Sequence, residues 1–136
     1  MAESLIPCQK DHLLIVDDEK MVRQIFRRLL VTEFPNLTIE LASDGQEALS
    51  LFQARHHTVI MMDLHMPVMD GEMAYQEIER WCGKERWAMP AMVFCTGYDA
   101  SLGIRQTIEA NSRYCMLRKP VKSQVLIETI RARLTD

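Results

Sequence analysis

The chain has 136 residues, 48% apolar and 26% charged, with 16 Lys and Arg against 19 Asp and Glu for a formal charge of −3. A chain of this size suits one domain that buries about two-thirds of its unfolded surface, so it needs neither disulfides nor a structural metal. The longest basic run is Arg27-Arg28, which argues against direct contact with nucleic acid. No apolar stretch reaches the roughly 18 residues of a membrane span, and the opening ten residues, with Glu3 and Pro7, lack the apolar run of a signal peptide. A cytoplasmic protein without a membrane partner is expected. Cys8, Cys82, Cys95 and Cys115 form no C-x-x-C pair and read as reduced structural thiols.

Residues 1–10 read as a loose leader and 11–136 as one domain. From residue 11 short apolar runs alternate with segments of helical spacing, the pattern of repeated βα units. The first strand is His12 to Val16, and Val22, Ile25, Phe26, Leu29 and Leu30 stripe the helix after it. Leu37 to Leu41 alternates apolar and polar residues, as an edge strand does. Ser43 or Asp44 then caps a helix carrying Ala48, Leu49 and Phe52, and His56 and His57 are expected in solvent at its end. Thr58 to Met62 is apolar almost throughout, which marks a central parallel strand covered on both faces. Asp70 caps a third helix from Gly71 to about Trp81 with Gly83 as its stop, and a polar loop from Lys84 to Pro90 follows. In that loop region Trp81 and Trp87 read as ordinary covering hydrophobes, and the methionines between Met61 and Met73 as core filler. Ala91 to Cys95 is a fourth strand, Asp99 to Ala110 a weakly amphipathic helix and Tyr114 to Leu117 a fifth strand. Val125, Leu126, Ile130 and Leu134 stripe a closing helix. Right-handed crossovers between parallel strands then give a doubly wound α/β sheet with helices on both faces.

In such sheets the ligand site lies beyond the carboxyl ends of the strands. The first strand ends in Asp17-Asp18, the third in Asp63, the fourth in Thr96 and the fifth in Lys119-Pro120. Three carboxylates, a hydroxyl and an ammonium thus reach one edge from positions 46, 33 and 23 residues apart. Crowded carboxylates repel unless a cation joins them, and an all-oxygen set suits Mg²⁺ or Mn²⁺, which pairs carboxylates with phosphate oxygens. Asp63 is then the nucleophile toward phosphorus, Lys119 a point charge for the phosphoryl group and Thr96 a hydroxyl donor beside the open Gly97. Singly, each residue has a plainer role. Asp17, Asp18 and Asp70 could cap helices, which is the preferred role for Asp70; Asp63 could shape the turn before Pro67, and Lys119 could cover the sheet edge with its stem. Jointly the strand ends favour a site, and His65 overlooks it.

The segments Ile15-Val16-Asp17-Asp18-Glu19, Met61 through Gly71, Thr96-Gly97 and Arg118-Lys119-Pro120 resemble a response regulator receiver domain of two-component signalling, chemotaxis-regulator-like, over about residues 11–134. The resemblance implies a flavodoxin-like (βα)5 fold of sheet order 2-1-3-4-5, phosphorylated on Asp63 by a histidine kinase or histidine phosphotransfer protein. It implies that Asp18, Asp63 and the backbone carbonyl of His65 bind Mg²⁺ directly, with Asp17 acting through water. Thr96 and Lys119 would read the phosphoryl group, and His65 and Tyr98 would tune its slow self-hydrolysis. One position departs from the family pattern: the aromatic residue three before the motif lysine is here Met116, and Tyr114, two residues earlier on the same strand face, is the substitute. The output partner is a downstream effector or a fused domain. The switching surface, and the face for a weak dimer, is the fourth helix, fifth strand and fifth helix.

Two other functions compete. A pseudo-receiver would keep the fold as an interaction module without phosphorylation, although all five key positions are intact. A haloacid-dehalogenase-type phosphatase would want a second Asp two residues after the nucleophile, where this chain has His65. Flavin binding is set aside because Asp17-Asp18-Glu19 would repel a flavin phosphate.

Overall fold

Strands that are apolar on both faces must be covered on both, and the computed structural model, which describes residues 4–135, satisfies this with a three-layer arrangement. The elements are β1 (Gln9–Val16), α1 (Lys20–Glu33), β2 (Thr38–Ala42), α2 (Gly45–Arg55), β3 (His57–Asp63), α3 (Gly71–Glu85), β4 (Ala91–Thr96), α4 (Leu102–Glu109), β5 (Tyr114–Arg118) and α5 (Ser123–Leu134). All strand pairs are parallel, in the order β2-β1-β3-β4-β5. This is the flavodoxin-like order that the resemblance to receiver domains implies.

The twofold alternation of strand side chains divides the core. Leu14, Val16, Ile60, Met62, Met92 and Phe94 meet Phe52 of α2, Tyr75 and Ile78 of α3 and Ile104 of α4. On the other face Leu13, Ile15, Val59, Met61 and Val93 meet Phe26 and Leu30 of α1 and Leu126 and Ile130 of α5. The structure places Ile25 and Val125 outside the buried stripes of their helices, at 57% and 44% exposure. Each sits about one residue, or 100°, off the core-facing row, which Ile127 completes in α5.

Four further expectations change. Residues 6–10 are not a loose leader: Ile6 forms a parallel bridge with Trp87, donating to Arg86 O at 2.8 Å and accepting from Ala88 N at 2.7 Å, and β1 already begins at Gln9. A single bridge needs no periodic pattern, so none was visible; Met1 to Glu3 lie outside the described residues. Next, α3 does not stop at Gly83. It runs to Glu85 because Cys82 is still buried, and it closes at Arg86, which adopts the left-handed conformation (φ 57°). The fourth helix is shorter than expected, starting after Ser101, whose hydroxyl accepts from Ile104 N at 3.1 Å. Finally, His56 and His57 are buried rather than solvated. His56 closes α2 at φ 51° and stacks on Trp87 at 4.0 Å, while the Nε2 of His57 lies 2.7 Å from Glu40 Oε1 on β2. The helix end runs straight into the central strand, and neighbouring chain covers it.

Trp81 and Trp87 pack partly buried against the core. Met61, Met62 and Met66 are core residues, whereas Met73 is exposed.

Candidate functional site

Parallel strands bring all their carboxyl ends to one edge, and there the predicted residues meet. Asp17, at the end of β1, is buried; its Oδ2 accepts from Lys119 Nζ at 2.8 Å and its Oδ1 from Glu19 N at 2.9 Å. Asp63 closes β3 and is also buried, with Oδ2 3.3 Å from the same ammonium and Oδ1 accepting from His65 N at 3.2 Å. Asp18 is exposed, and one carboxylate oxygen from each of Asp17, Asp18 and Asp63 lies within 4.8 Å of the others. Lys119 therefore bridges the two buried carboxylates while the third faces solvent.

Burial holds the Asp63 carboxyl above its ordinary value, reinforced by the Asp17 charge and opposed by the His65 N–H and the Lys119 ammonium. Burial works against the charge on Lys119, but its bonds and attraction to Asp17 and Asp63 outweigh that and raise its pKa. Among the described residues, the site is thus an anionic pocket in which one ammonium, that of Lys119, is shared between the buried carboxylates, short of positive charge. Three hard oxygen donors in that condition fit a divalent cation of the Mg²⁺ or Mn²⁺ type.

Thr96, at the end of β4, is buried, and its hydroxyl is engaged by its own loop: Oγ1 donates to Tyr98 O at 2.9 Å and accepts from Tyr98 N at 3.0 Å. His65 and Tyr98 are exposed, and their rings meet edge to face at 4.9 Å above the strand ends. Lys119 N donates to Thr96 O at 2.8 Å, tying the β5 end to β4. Gly71 permits the close approach of α3 to the site, since a Cβ there would lie 2.2 Å from the Asp63 carbonyl oxygen. Asp70 and Asp44 are helix caps, accepting from Met73 N at 2.9 Å and Glu47 N at 2.8 Å.

Met116 lines a cavity of about 430 Å³ together with Thr96, Tyr98, Ala100, Arg105 and Arg118. Tyr114, two residues earlier on the same strand, is buried with its hydroxyl 3.3 Å from that of Tyr75, so it is anchored in the core and is not among the residues lining the cavity. Two contacts escaped the sequence reading: Arg23 donates to Asp17 O at 2.8 Å, and Ser101 donates to Glu72 across the α3 and α4 starts at 2.9 Å. Both join side chains whose spacing follows only from the packed helices. Asp70 was visible as a helix cap and Asp99 as the start of a helix, whereas nothing in the sequence singled out Glu72 or Ser101.

The sequence profile of the response regulator receiver domain matches residues 13–131. The positive alginate biosynthesis regulatory protein of Pseudomonas aeruginosa is 36% identical over 122 residues, covering 88% of this chain and 46% of that protein. A protein-glutamate methylesterase/protein-glutamine glutaminase of Hahella chejuensis is 41% identical over 91 residues, 67% of this chain and 24% of its own length. The chain therefore spans less than half the length of these relatives. Among solved structures, the chemotaxis protein CheY4 of Vibrio cholerae superposes with a TM-score of 0.72 at 25% identity, covering 91% of this chain and 98% of that one. The signal receiver domain of an HD domain-containing protein of Pseudomonas fluorescens Pf-5 gives 0.75 at 26% identity, covering 93% and 96%. With the fold, the acidic strand ends and the bridging lysine in agreement, the chain belongs to the response regulator receiver domain family.

Proposed function

We propose that this receiver is a phosphorylation switch in which Asp63 accepts a phosphoryl group from a histidine kinase or histidine phosphotransfer protein. The observation that carries the reading is Lys119 shared between Asp17 and Asp63, at 2.8 and 3.3 Å, with a third carboxylate alongside. A carboxylate oxygen of Asp63 attacks phosphorus as the phosphohistidine nitrogen departs. Asp17, Asp18, Asp63 and the His65 carbonyl are the groups that would hold Mg²⁺, which when bound neutralises the charge of the phosphoryl oxygens.

The residues of the chain supply the rest. The His65 N–H holds the free orientation of Asp63, and Lys119 is near enough to follow the new charge from Asp63 to the phosphoryl group. Thr96 must release its own loop before its hydroxyl can donate to that group, which couples the chemistry to the segment leading into α4. His65 and Tyr98 stand where they would screen the phosphoryl group from water and so set its lifetime. The output is a change in the α4, β5 and α5 face, read by an effector protein or a fused domain, or by a second copy in a weak dimer.

No external substrate is turned over in this reading. The phosphatase alternative lacks its acid, since the residue two beyond Asp63 is the exposed His65, and the pseudo-receiver alternative is disfavoured by the complete set of strand-end residues. Intact-mass analysis after incubation with phosphoramidate and Mg²⁺ tests the proposal. A single phosphoryl adduct that requires Mg²⁺ is expected in the wild type and none in Asp63→Asn; an unmodified wild type would instead favour the pseudo-receiver.

A further inference from the structure

At the end of the sheet away from the carboxylates, one backbone oxygen receives more donors than it has lone pairs. The carbonyl of Ala88 lies 2.8 Å from His56 Nε2, 3.5 Å from Cys8 Sγ and 3.9 Å from Cys82 Sγ. A carbonyl oxygen accepts two good hydrogen bonds. The short imidazole contact takes one, leaving two weak thiol donors to share the other. The two sulfurs, 74 positions apart in sequence, are therefore neighbours across a single atom, and their separation cannot exceed the sum of those two distances.

We propose that Cys8 and Cys82 form a disulfide that staples the N-terminal segment to the end of α3. Cys8 is half-buried and reachable from solvent, whereas Cys82 is buried behind it on the helix. This orders the steps. A small-molecule disulfide such as oxidised glutathione is attacked by the Cys8 thiolate, which forms a mixed disulfide and releases one thiol. The Cys82 thiolate then attacks the Cys8 sulfur and displaces the second thiol. Two protein thiols are oxidised to one disulfide and the small disulfide is reduced to two thiols, so electrons and protons balance.

Loss of the two S–H donors leaves the Ala88 carbonyl with its short His56 contact, so oxidation orphans no buried acceptor. The chain on either side is already held in place. Ile6 is paired to Arg86 and Ala88, and the N–H of Gln9 donates to His56 O at 2.7 Å, so Cys8 sits in a short tether fixed at both ends. Burial pushes the Cys8 thiol up to about 11 and the Cys82 thiol to about 12, with Cys8 adding to the effect at Cys82. The exchange is accordingly slow near neutrality and faster as the pH rises.

Cys95 and Cys115 provide an internal comparison. In the β4–β5 register Val93 stands opposite Cys115 and Cys95 opposite Leu117, a diagonal relation with more separation than directly opposed positions have.

The test treats the whole chain with oxidised glutathione for several hours at about pH 8.5, followed by alkylation, intact-mass analysis and non-reducing peptide mapping. The expected result is loss of two hydrogens, a cross-linked peptide pair containing Cys8 and Cys82, and a raised Tm that dithiothreitol reverses. Cys8→Ser and Cys82→Ser should each abolish the cross-link, while Cys115→Ser should retain it. A stable glutathione adduct on Cys8, a disulfide-linked dimer, a Cys95–Cys115 cross-link in place of this one, or four fully alkylated thiols would each overturn the proposal. The deciding readouts, the mass change and the cross-linked peptide pair, are covalent and made on wild-type protein, so they do not depend on the variants folding.

Discussion

Two residues decide the charge balance at the strand ends, and their removal should act in opposite directions. Asp63 is buried beside Asp17, and its raised pKa means that the folded state holds a proton more tightly there than the unfolded chain does. Stability from this group is therefore present below its ordinary value of 3.8 and is lost as pH rises through the higher folded value. At neutral pH without divalent cations, Asp63→Asn should stabilise the fold by on the order of 1 kcal/mol, measured by urea unfolding. Mg²⁺ should stabilise the wild type and have little effect on the variant. Lys119→Met should do the reverse, because it leaves Asp17 and Asp63 buried with no cation between them. A loss of about 2 to 4 kcal/mol is expected there, partly recovered by millimolar Mg²⁺.

The acidic set was legible in the sequence because strand ends in a parallel sheet share one edge, so Asp17, Asp63, Thr96 and Lys119 had to converge. What Thr96 bonds to in the resting state was not legible, since a hydroxyl can turn to its own loop as readily as to a ligand.

Among the elements, α3 carries a contrast that one substitution exposes. Gly71 faces the Asp63 carbonyl, where an added Cβ would meet backbone at 2.2 Å, whereas Gly83 has nothing within 4 Å of the same position. Gly71→Ala should thus displace the start of α3 or the β3 end, destabilise by about 2 kcal/mol or more and slow phosphorylation. Gly83→Ala, on the exposed side of the helix interior, should stabilise by roughly 0.5 to 1 kcal/mol and leave phosphorylation unchanged. Thermal unfolding of the two variants side by side checks both.

The same helix shows why element ends were harder to read than elements. Gly83 is a plausible stop from composition, but burial of Cys82 and the left-handed Arg86 carry the helix two residues beyond it. Propensity near a helix end is worth less than the packing of one more turn. In α1, by contrast, the stripe was correct at Phe26 and Leu30 and wrong at Ile25, because an apolar residue on the flank of a helix looks like one on its face.

For the molecule as a whole, the two ends of the sheet carry different pH behaviour. The carboxylates sit at one end, and His56 and His57 are buried at the other. Burial lowers the pKa of both histidines, against the Ala88 carbonyl in one case and the Glu40 carboxylate in the other. The unfolded chain therefore binds protons more readily at these sites, so stability is fullest above about pH 6.5 and falls as pH drops below it. Urea midpoints should decline between pH 7 and pH 5.5, and His56→Gln should flatten that decline while costing some stability at pH 7. A pH-independent midpoint over this range would contradict the assignment.

Neither histidine was recognised from the sequence, because two adjacent polar residues at a helix end carry no sign of the Trp87 ring and the β2 glutamate that cover them. The doubly wound α/β class was readable from apolar runs, turn residues and crossover handedness, while the strand order β2-β1-β3-β4-β5 followed from the resemblance to receiver domains.

The central claim is that Asp63, among three neighbouring carboxylates, is the one that takes the phosphoryl group. Borohydride reduction of phosphoramidate-treated protein converts an aspartyl phosphate to homoserine, and peptide sequencing by mass spectrometry then locates it. The account predicts homoserine at position 63 alone, formed only with Mg²⁺ present; homoserine at position 17 or 18, or its formation without a divalent cation, would contradict it.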